Sequence, residues 1–176
     1  MKRLTGDKCY LRALEPEDLD FLYKLENDES VWEVSETVTP YSRYLLKEYL
    51  ENSHRDIYDV KQLRLAICSP DGRLLGFVDL FDFDPKNGRA GVGIIVLNKN
   101  DRNQGIGHEA LQLLSDYAFR YLELHQLYAN IGAANKASIR LFESLGFELI
   151  GVKKEWTRIS GKFCDELFYQ KINDVY

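Results

Sequence analysis

The sequence predicts an α+β fold in which helices flank a mixed, mostly antiparallel sheet of about seven strands. Short apolar runs alternate with Gly-, Asn- and Asp-containing turns, which is the pattern of antiparallel hairpins. A strand, helix, strand sequence over residues 90–133 adds one parallel pair, because parallel strands need a long crossover. A chain of 176 residues is long enough to bury its own core, so we expect a single domain over residues 1–176.

The first third of the chain begins with a strand and continues with two helices. The strand is predicted over residues 9–14, CYLRAL, and a helix follows with Pro16 and several acids in its first turn. A second helix is predicted in TVTPYSRYLLKEYLENS, with Thr39 as N-cap and Pro40 at the first helical position.

Three strands follow, over residues 62–68, 74–83 and 90–97. The dipeptide Asn87-Gly88 lies between the second and third of these strands and is a hairpin signal. Because the third strand, AGVGIIVL, is almost wholly apolar, we expect it at the centre of the sheet.

The remainder alternates helix and strand and ends in a hairpin. An apolar helical face runs on from Gly105, and a strand is predicted over 126–133, QLYANIGA. Asn135 is a suitable N-cap and Gly146 a suitable C-terminal glycine for the helix between them. Two last strands flank TRISG.

Composition limits the classes of function. The chain is 45% apolar and 29% charged, with no apolar stretch near the roughly 18 residues of a membrane span and no leader pattern at its N-terminus. We therefore expect a cytoplasmic protein without a membrane partner. The net charge of −5 disfavours nucleic acid as partner and favours a cationic one. The three cysteines and three histidines have no metal-ligand spacing, so no metal is expected.

The strongest motif is DRNQGIGHEALQLL, residues 101–114, which contains Arg102, Gly105 and Gly107 in the pattern R-x-x-G-x-G. Glycines at the start of a helix aim free N–H groups and the positive end of the helix dipole at one point, which suits a pyrophosphate. GIGHEA also fits a dinucleotide fingerprint, but the following strand lacks the acid that would hold a ribose. A P-loop would need Lys-Ser or Lys-Thr after the second glycine, and a loop without a ligand is the remaining alternative.

The chain resembles the GNAT superfamily of N-acetyltransferases. Arg102 to Gly107 matches the acetyl-coenzyme A motif of that superfamily, and NKASIRLFESLGF is similar to its second coenzyme-binding helix. The opening YLRALEPEDLDFLYKLEND and the closing WTRISGKFCDELFY are similar to spermidine acetyltransferases and ribosomal-protein N-terminal acetyltransferases, so that the resemblance covers essentially the whole chain.

The resemblance implies a GNAT fold with a central βαβ coenzyme-binding unit, acetyl-coenzyme A as acyl donor and a homodimer. It implies that the backbone of residues 95–97 pairs with the pantetheine amides. The implied coenzyme-binding residues are Ile95, Val96, Leu97, Arg102, Asn103, Gln104, Gly105, Ile106, Gly107, Asn135, Ser138 and Phe142.

Two positions depart from the family pattern. Phe142 stands where spermidine acetyltransferases have a tyrosine that protonates the leaving thiolate, and Gly91 stands where a glutamate base is common. We therefore assign no catalytic acid. Asp79, on a strand that resembles the wall of the acceptor site in polyamine enzymes, is the candidate for a base or an amine-binding carboxylate.

The expected acceptor is a primary amine, either a polyamine such as spermidine or a related small amine. Glu33 and Glu36 lie in the region where the family builds its acceptor wall, and together with Asp79 they are the candidate substrate-binding acids. A protein N-terminus is the alternative acceptor. A non-catalytic module that binds acyl-coenzyme A is the alternative from another functional class.

Overall fold

The computed structural model describes residues 4–174 and contains one sheet of seven strands in the order β1-β2-β3-β4-β5-β7-β6. The strands are β1 Tyr10–Arg12, β2 Leu63–Cys68, β3 Leu74–Asp84, β4 Arg89–Val96, β5 Gln126–Gly132, β6 Glu148–Ile159 and β7 Lys162–Ile172. Only β4 and β5 pair in parallel, and all the other described neighbours are antiparallel. The predicted fold class is confirmed.

Six α-helices of the described chain flank the sheet. They are α1 Leu19–Glu26, α2 Glu29–Ser35, α3 Arg43–Glu51, α4 Ile57–Val60, α5 Ile106–Arg120 and α6 Lys136–Ser144. Helix α5 connects β4 to β5, as a parallel pair requires. Within residues 4–174, no helix is both long and apolar enough to cross a bilayer.

The two faces of the sheet carry separate cores. Val78 of β3 belongs to the core that includes Leu114 of α5, whereas its neighbour Phe77 belongs to the core that includes Leu22 of α1 and Leu46 of α3. Successive strand residues point to opposite faces, so α5 and α6 cover one face and α1 and α3 the other.

Local signals located α6 correctly. The Asn135 side chain accepts a hydrogen bond from the Ser138 N–H at 3.1 Å, and Gly146 has the positive φ, +83°, that ends the helix.

The predicted start of α3 at Thr39 and Pro40 is wrong. The helix begins at Arg43, and its N-cap is Ser42, whose hydroxyl accepts from the Leu45 N–H at 3.1 Å. The preceding residue, Tyr41, is held by the side chain of Asn27, which accepts from its N–H at 2.8 Å and donates to its carbonyl at 3.0 Å. This contact between distant residues holds Tyr41 outside the helix, whose N-cap lies three residues after the predicted one.

Candidate active site

Strands β4 and β5 separate in the middle of the sheet. They pair only where Arg89 to Gly91 face Gln126 to Tyr128, and β4 then continues to Val96 beside β3 alone. Leu97 beyond it donates its N–H to the Leu75 carbonyl at 3.1 Å. Because hydrogen-bonding directions alternate along a strand, the polar groups of Ile94 and Val96 point away from β3 into the opening.

A cavity of about 460 Å³ lies at this opening on the side of α5 and α6. It is lined by Ser30, Val31, Ile94, Ile95, Val96, Asp101, Arg102, Asn103, Gly105, Gly107, His108, Asn135, Ala137, Ser138 and Leu141. We call it the coenzyme groove, because it combines the free edge of β4, the glycine loop and the start of α6.

The glycine loop has the geometry of an anion site. Gly105 has a φ of +81° and is the N-cap of the 15-residue helix α5, so the first N–H groups of α5 are not used inside the helix. The Arg102 guanidinium donates to the Val96 carbonyl at 3.1 and 2.9 Å, which fixes this cation at the end of β4. These bonds join the glycine loop to the free edge of β4.

The segment before β1 supports the loop from behind. The ammonium group of Lys8 donates a hydrogen bond to the Gln104 carbonyl at 2.9 Å. The carboxylate of Glu109 in α5 accepts hydrogen bonds from the backbone N–H groups of Asp7, Lys8 and Cys9 at 3.0, 2.7 and 2.8 Å. Burial alone would raise the pKa of Glu109, but these three N–H bonds hold it below its ordinary value. The carbonyl of Gln104 and the N–H of Gly105 belong to the same peptide plane and point in opposite directions. Because the carbonyl points to Lys8, the N–H of Gly105 points away from Lys8.

A second cavity, of about 490 Å³, lies on the other face of the sheet, and we call it the acceptor cavity because it contains Asp79, the candidate amine-binding carboxylate. It is lined by Leu22, Leu25, Glu26, Val31, Ser35, Thr37, Tyr41, Leu45, Leu46, Tyr49, Gln62, Leu63, Arg64, Asp79, Leu80, Phe81 and Ile95. Val31 and Ile95 line both cavities, so the two meet at β4, at the place where β5 has moved away.

Three charged side chains form a cluster in the acceptor cavity. Arg64 donates to both oxygens of Asp79, from Nε at 2.6 Å and from Nη2 at 3.1 Å, and to one oxygen of Glu26 from Nη1 at 2.7 Å. Two carboxylates against one guanidinium give the cluster a net negative charge. Tyr49 lies nearby, and burial raises its pKa, with Arg64 opposing and the two carboxylates adding to that rise.

The family's glutamate position is filled by an aromatic ring. A Cβ at Gly91 would lie 2.3 Å from Cε2 and 2.4 Å from Cζ of Phe81, so no larger residue fits there while the ring keeps its place. The Phe81 ring in turn makes an edge contact with Tyr128 at a centroid distance of 6.0 Å. A glutamate at this position would therefore have to displace the Phe81 ring.

The position of the family's tyrosine is also apolar. Phe142 is 4% exposed and contacts the Phe147 ring edge-on at 5.1 Å between centroids. Its helix neighbours Ser138 and Leu141 line the coenzyme groove, but Phe142 does not. The α6 residue at this position thus brings no proton donor to the groove.

The structure gathers most of the implied coenzyme residues. Those that line the groove are Ile95, Val96, Arg102, Asn103, Gly105, Gly107, Asn135 and Ser138. Leu97 is directed to β3, Ile106 is buried in the core, and the Gln104 side chain donates to the Asn100 carbonyl. Ile94, which the motif did not indicate, lines the groove instead.

The implied acceptor residues divide differently. Asp79 lines the acceptor cavity, whereas Glu33 and Glu36 do not. Glu33 accepts a hydrogen bond at 3.1 Å from the hydroxyl of Ser160 at the tip of the β6–β7 hairpin. Glu36 is exposed and is the C-cap of α2, in a left-handed conformation. Sequence reasoning missed Glu26 and Arg64. The available signal was the lone charge in the apolar strand LRLAIC, which faces Asp79 in the β2–β3 register.

The glycine loop at the start of α5 and the opening between β4 and β5 lie together in one groove, as the resemblance to acetyltransferases implies for an acyl-coenzyme A site. The model of the acetyltransferase (GNAT) domain family matches residues 8–148, and the chain belongs to this family. The protein is accordingly an acetyl-coenzyme A dependent N-acetyltransferase.

Similar proteins include the spermidine N(1)-acetyltransferases of Vibrio cholerae and Escherichia coli. The first is 28% identical over 155 residues, which cover 88% of this chain and 87% of that protein. The second is 30% identical over 154 residues, covering 87% and 80%. The crystal structure of the Vibrio cholerae spermidine N-acetyltransferase in complex with CoA and spermine has a TM-score of 0.85 at 26% identity and covers 96% of this chain and 97% of that one.

Proposed function

We propose that this enzyme acetylates a primary amine of a polyamine such as spermidine, or of a related small amine. The observation that carries the proposal is the negatively charged acceptor cavity that meets the coenzyme groove at Val31 and Ile95. A net negative charge attracts a cationic acceptor. The similarity to spermidine N(1)-acetyltransferases supports the same acceptor class.

We propose the following roles in the coenzyme groove. The N–H groups at the start of α5 and the Arg102 guanidinium hold the phosphates, because both are fixed donors at one end of the groove. The outward-facing N–H and carbonyl of Ile94 and the N–H of Val96 hold the pantetheine amides, as a missing strand would, while the Val96 carbonyl accepts from Arg102. Asn135 and Ser138 complete the opposite wall.

The chemistry then rests mainly on positioning. The acceptor ammonium first loses a proton to water, and the neutral amine then attacks the thioester carbonyl carbon. A C–N bond forms, the C–S bond breaks, the second proton of the nitrogen passes to water, and the coenzyme A thiolate that leaves takes a proton from water. Gly91 and Phe142 supply neither base nor acid, and one such group contributes about 10²- to 10⁴-fold in rate. We expect turnover that is slow for the family but still dependent on both cavities.

The test is release of free thiol from acetyl-coenzyme A in the presence of spermidine, spermine, short diamines or an Ala- or Ser-led peptide. We expect polyamine turnover that falls at least tenfold in Arg102→Ala, mainly through KM for acetyl-coenzyme A, because a charged phosphate contact of roughly 1.5–3 kcal/mol is lost. Turnover of the peptide alone would instead support an N-terminal acetyltransferase. Tight coenzyme binding without turnover of any amine would contradict the proposal.

We also propose a single domain over residues 1–176, a cytoplasmic location and a homodimer, following the family resemblance. Sedimentation equilibrium checks the assembly, and a monomer at micromolar concentration would contradict it.

A further inference from the structure

The two carboxylates of the acceptor cavity are not equivalent. Arg64 engages both oxygens of Asp79 with its Nε and Nη2 donors. It engages only Oε1 of Glu26, and within residues 4–174 no other hydrogen-bond partner reaches that carboxylate. Oε2 of Glu26 is therefore the carboxylate oxygen of this cluster that accepts no hydrogen bond from the described residues, and it has its full capacity for a ligand.

We propose that Glu26 binds the ammonium of a second amino group of the acceptor, the group that is not acetylated. Glu26 is the last residue of α1 and lines the acceptor cavity, and its bond to Arg64 fixes the direction of its carboxylate. Asp79 acts through Arg64 and is a positioning residue. This inference rests on the proposed function, since it concerns the acceptor of the same cavity.

The chemistry of the pair determines the class of acceptor. An ammonium that donates to a carboxylate is stabilised in its protonated form and has no lone pair with which to attack. The attacking nitrogen must therefore be a different one, nearer to Ile95, where the cavity meets the coenzyme groove. Acceptors with at least two amino groups fit this arrangement, whereas monoamines leave the Glu26 oxygen without a partner.

The rest of the cavity suits the connecting methylenes. Apart from the charged cluster, much of the cavity lining is aliphatic and includes Leu22, Leu25 and Val31. Such walls favour an alkyl chain through burial of apolar surface and offer no further charge to a third amino group. A diamine segment is thus the part of a polyamine that the described cavity recognises.

The experiment compares kcat/KM for 1,4-diaminobutane, 4-amino-1-butanol and butylamine, which share one alkyl chain and differ at its far end. In the wild type we expect the diamine to exceed both other amines at least tenfold, or about 1.4 kcal/mol. Glu26→Gln should bring the three amines within about threefold of one another, by raising KM for the diamine while leaving kcat nearly unchanged. Glu51→Gln, which removes the same charge from an exposed ion pair with Lys47, should leave the ratios as in the wild type.

The outcomes separate the two levels of inference. If none of the amines gives thiol release, the proposed acceptor class is refuted, and this assignment is refuted with it. Turnover of the diamine with equal kcat/KM for butylamine refutes the Glu26 assignment alone, and this comparison needs only the wild type. The Glu26 assignment is also refuted if Glu26→Gln keeps the preference for the diamine and its thermal unfolding midpoint shows that the variant is folded.

Discussion

Replacement of Gly91 by alanine tests whether Phe81 packing excludes a side chain from the family's base position. The added Cβ would meet Phe81 at 2.3, 2.4 and 2.8 Å, whereas carbon atoms pack at roughly 3.5–4.0 Å, so the ring must move by about 1 Å or more. Overpacking of this kind costs about 1–3 kcal/mol. Removing a strand glycine returns about 0.5–1 kcal/mol. We expect Gly91→Ala to lower the free energy of unfolding by about 0–2.5 kcal/mol.

Gly93, two residues further along β4, is the matched control. A Cβ there meets the same ring only at 3.9 Å, an ordinary contact. Gly93→Ala should be neutral or stabilising by up to about 1 kcal/mol. Both variants are measured by urea unfolding, with and without Phe81→Ala. In the background without the ring, Gly91→Ala should behave like Gly93→Ala, and equal costs for Gly91→Ala in both backgrounds would refute the packing argument.

Two further predictions concern a buried ion pair and the lost tyrosine. Burial alone would raise the pKa of Asp18, but bonds from Arg12, both at 2.8 Å, and from the Glu15 N–H hold it below its ordinary value. Its contribution to stability is therefore complete above about pH 3.9 and is lost as the pH falls through the lower folded-state pKa. The difference in unfolding free energy between wild type and Asp18→Asn should be constant from pH 7 to 5 and shrink below pH 4; a difference that grows in acid would contradict this sign. Phe142→Tyr buries a hydroxyl beside Phe147, so we expect a loss of about 1–3 kcal/mol in urea unfolding and less than a twofold change in kcat; a tenfold gain in kcat would show that this side chain reaches the thiolate after all.

Much of the fold follows from local patterns. Alternation of apolar residues, the Asn87-Gly88 turn, the Asn135 cap and the Gly146 end signal each depend on neighbours within a few residues, and the corresponding elements lie close to where the sequence predicts them. The R-x-x-G-x-G loop belongs to the same class, because its free N–H groups arise from one strand end and one helix start. The sequence by itself therefore determined the fold class and the family.

The helices between β1 and β2 show the limit of local reasoning. Ser42 and Thr39 both have side chains that suit an N-cap, and the structure uses Ser42. Asn27, at the C-terminal end of α1, binds the backbone of Tyr41 and so holds the residue before Ser42 outside the helix. The short helices α2 and α4, of 7 and 4 residues, carry too little periodicity to be recognised before their packing is known.

Which charged side chains meet in the acceptor cavity depends on tertiary structure alone. The sequence shows Asp79 as an acid in a strand. The β2–β3 register places Arg64 opposite it, and Arg64 donates to both of its oxygens. The carboxylate oxygen without a hydrogen bond belongs to Glu26, which lies 38 residues from Arg64 in the chain. The resemblance likewise implies that Glu33 belongs to the acceptor wall. In the structure Glu33 accepts a hydrogen bond from Ser160, which lies 127 residues away at the tip of the β6–β7 hairpin. The physical reason is the same in both cases: a charged side chain takes the partner that folding brings within hydrogen-bond distance, and the sequence order does not state which partner that is.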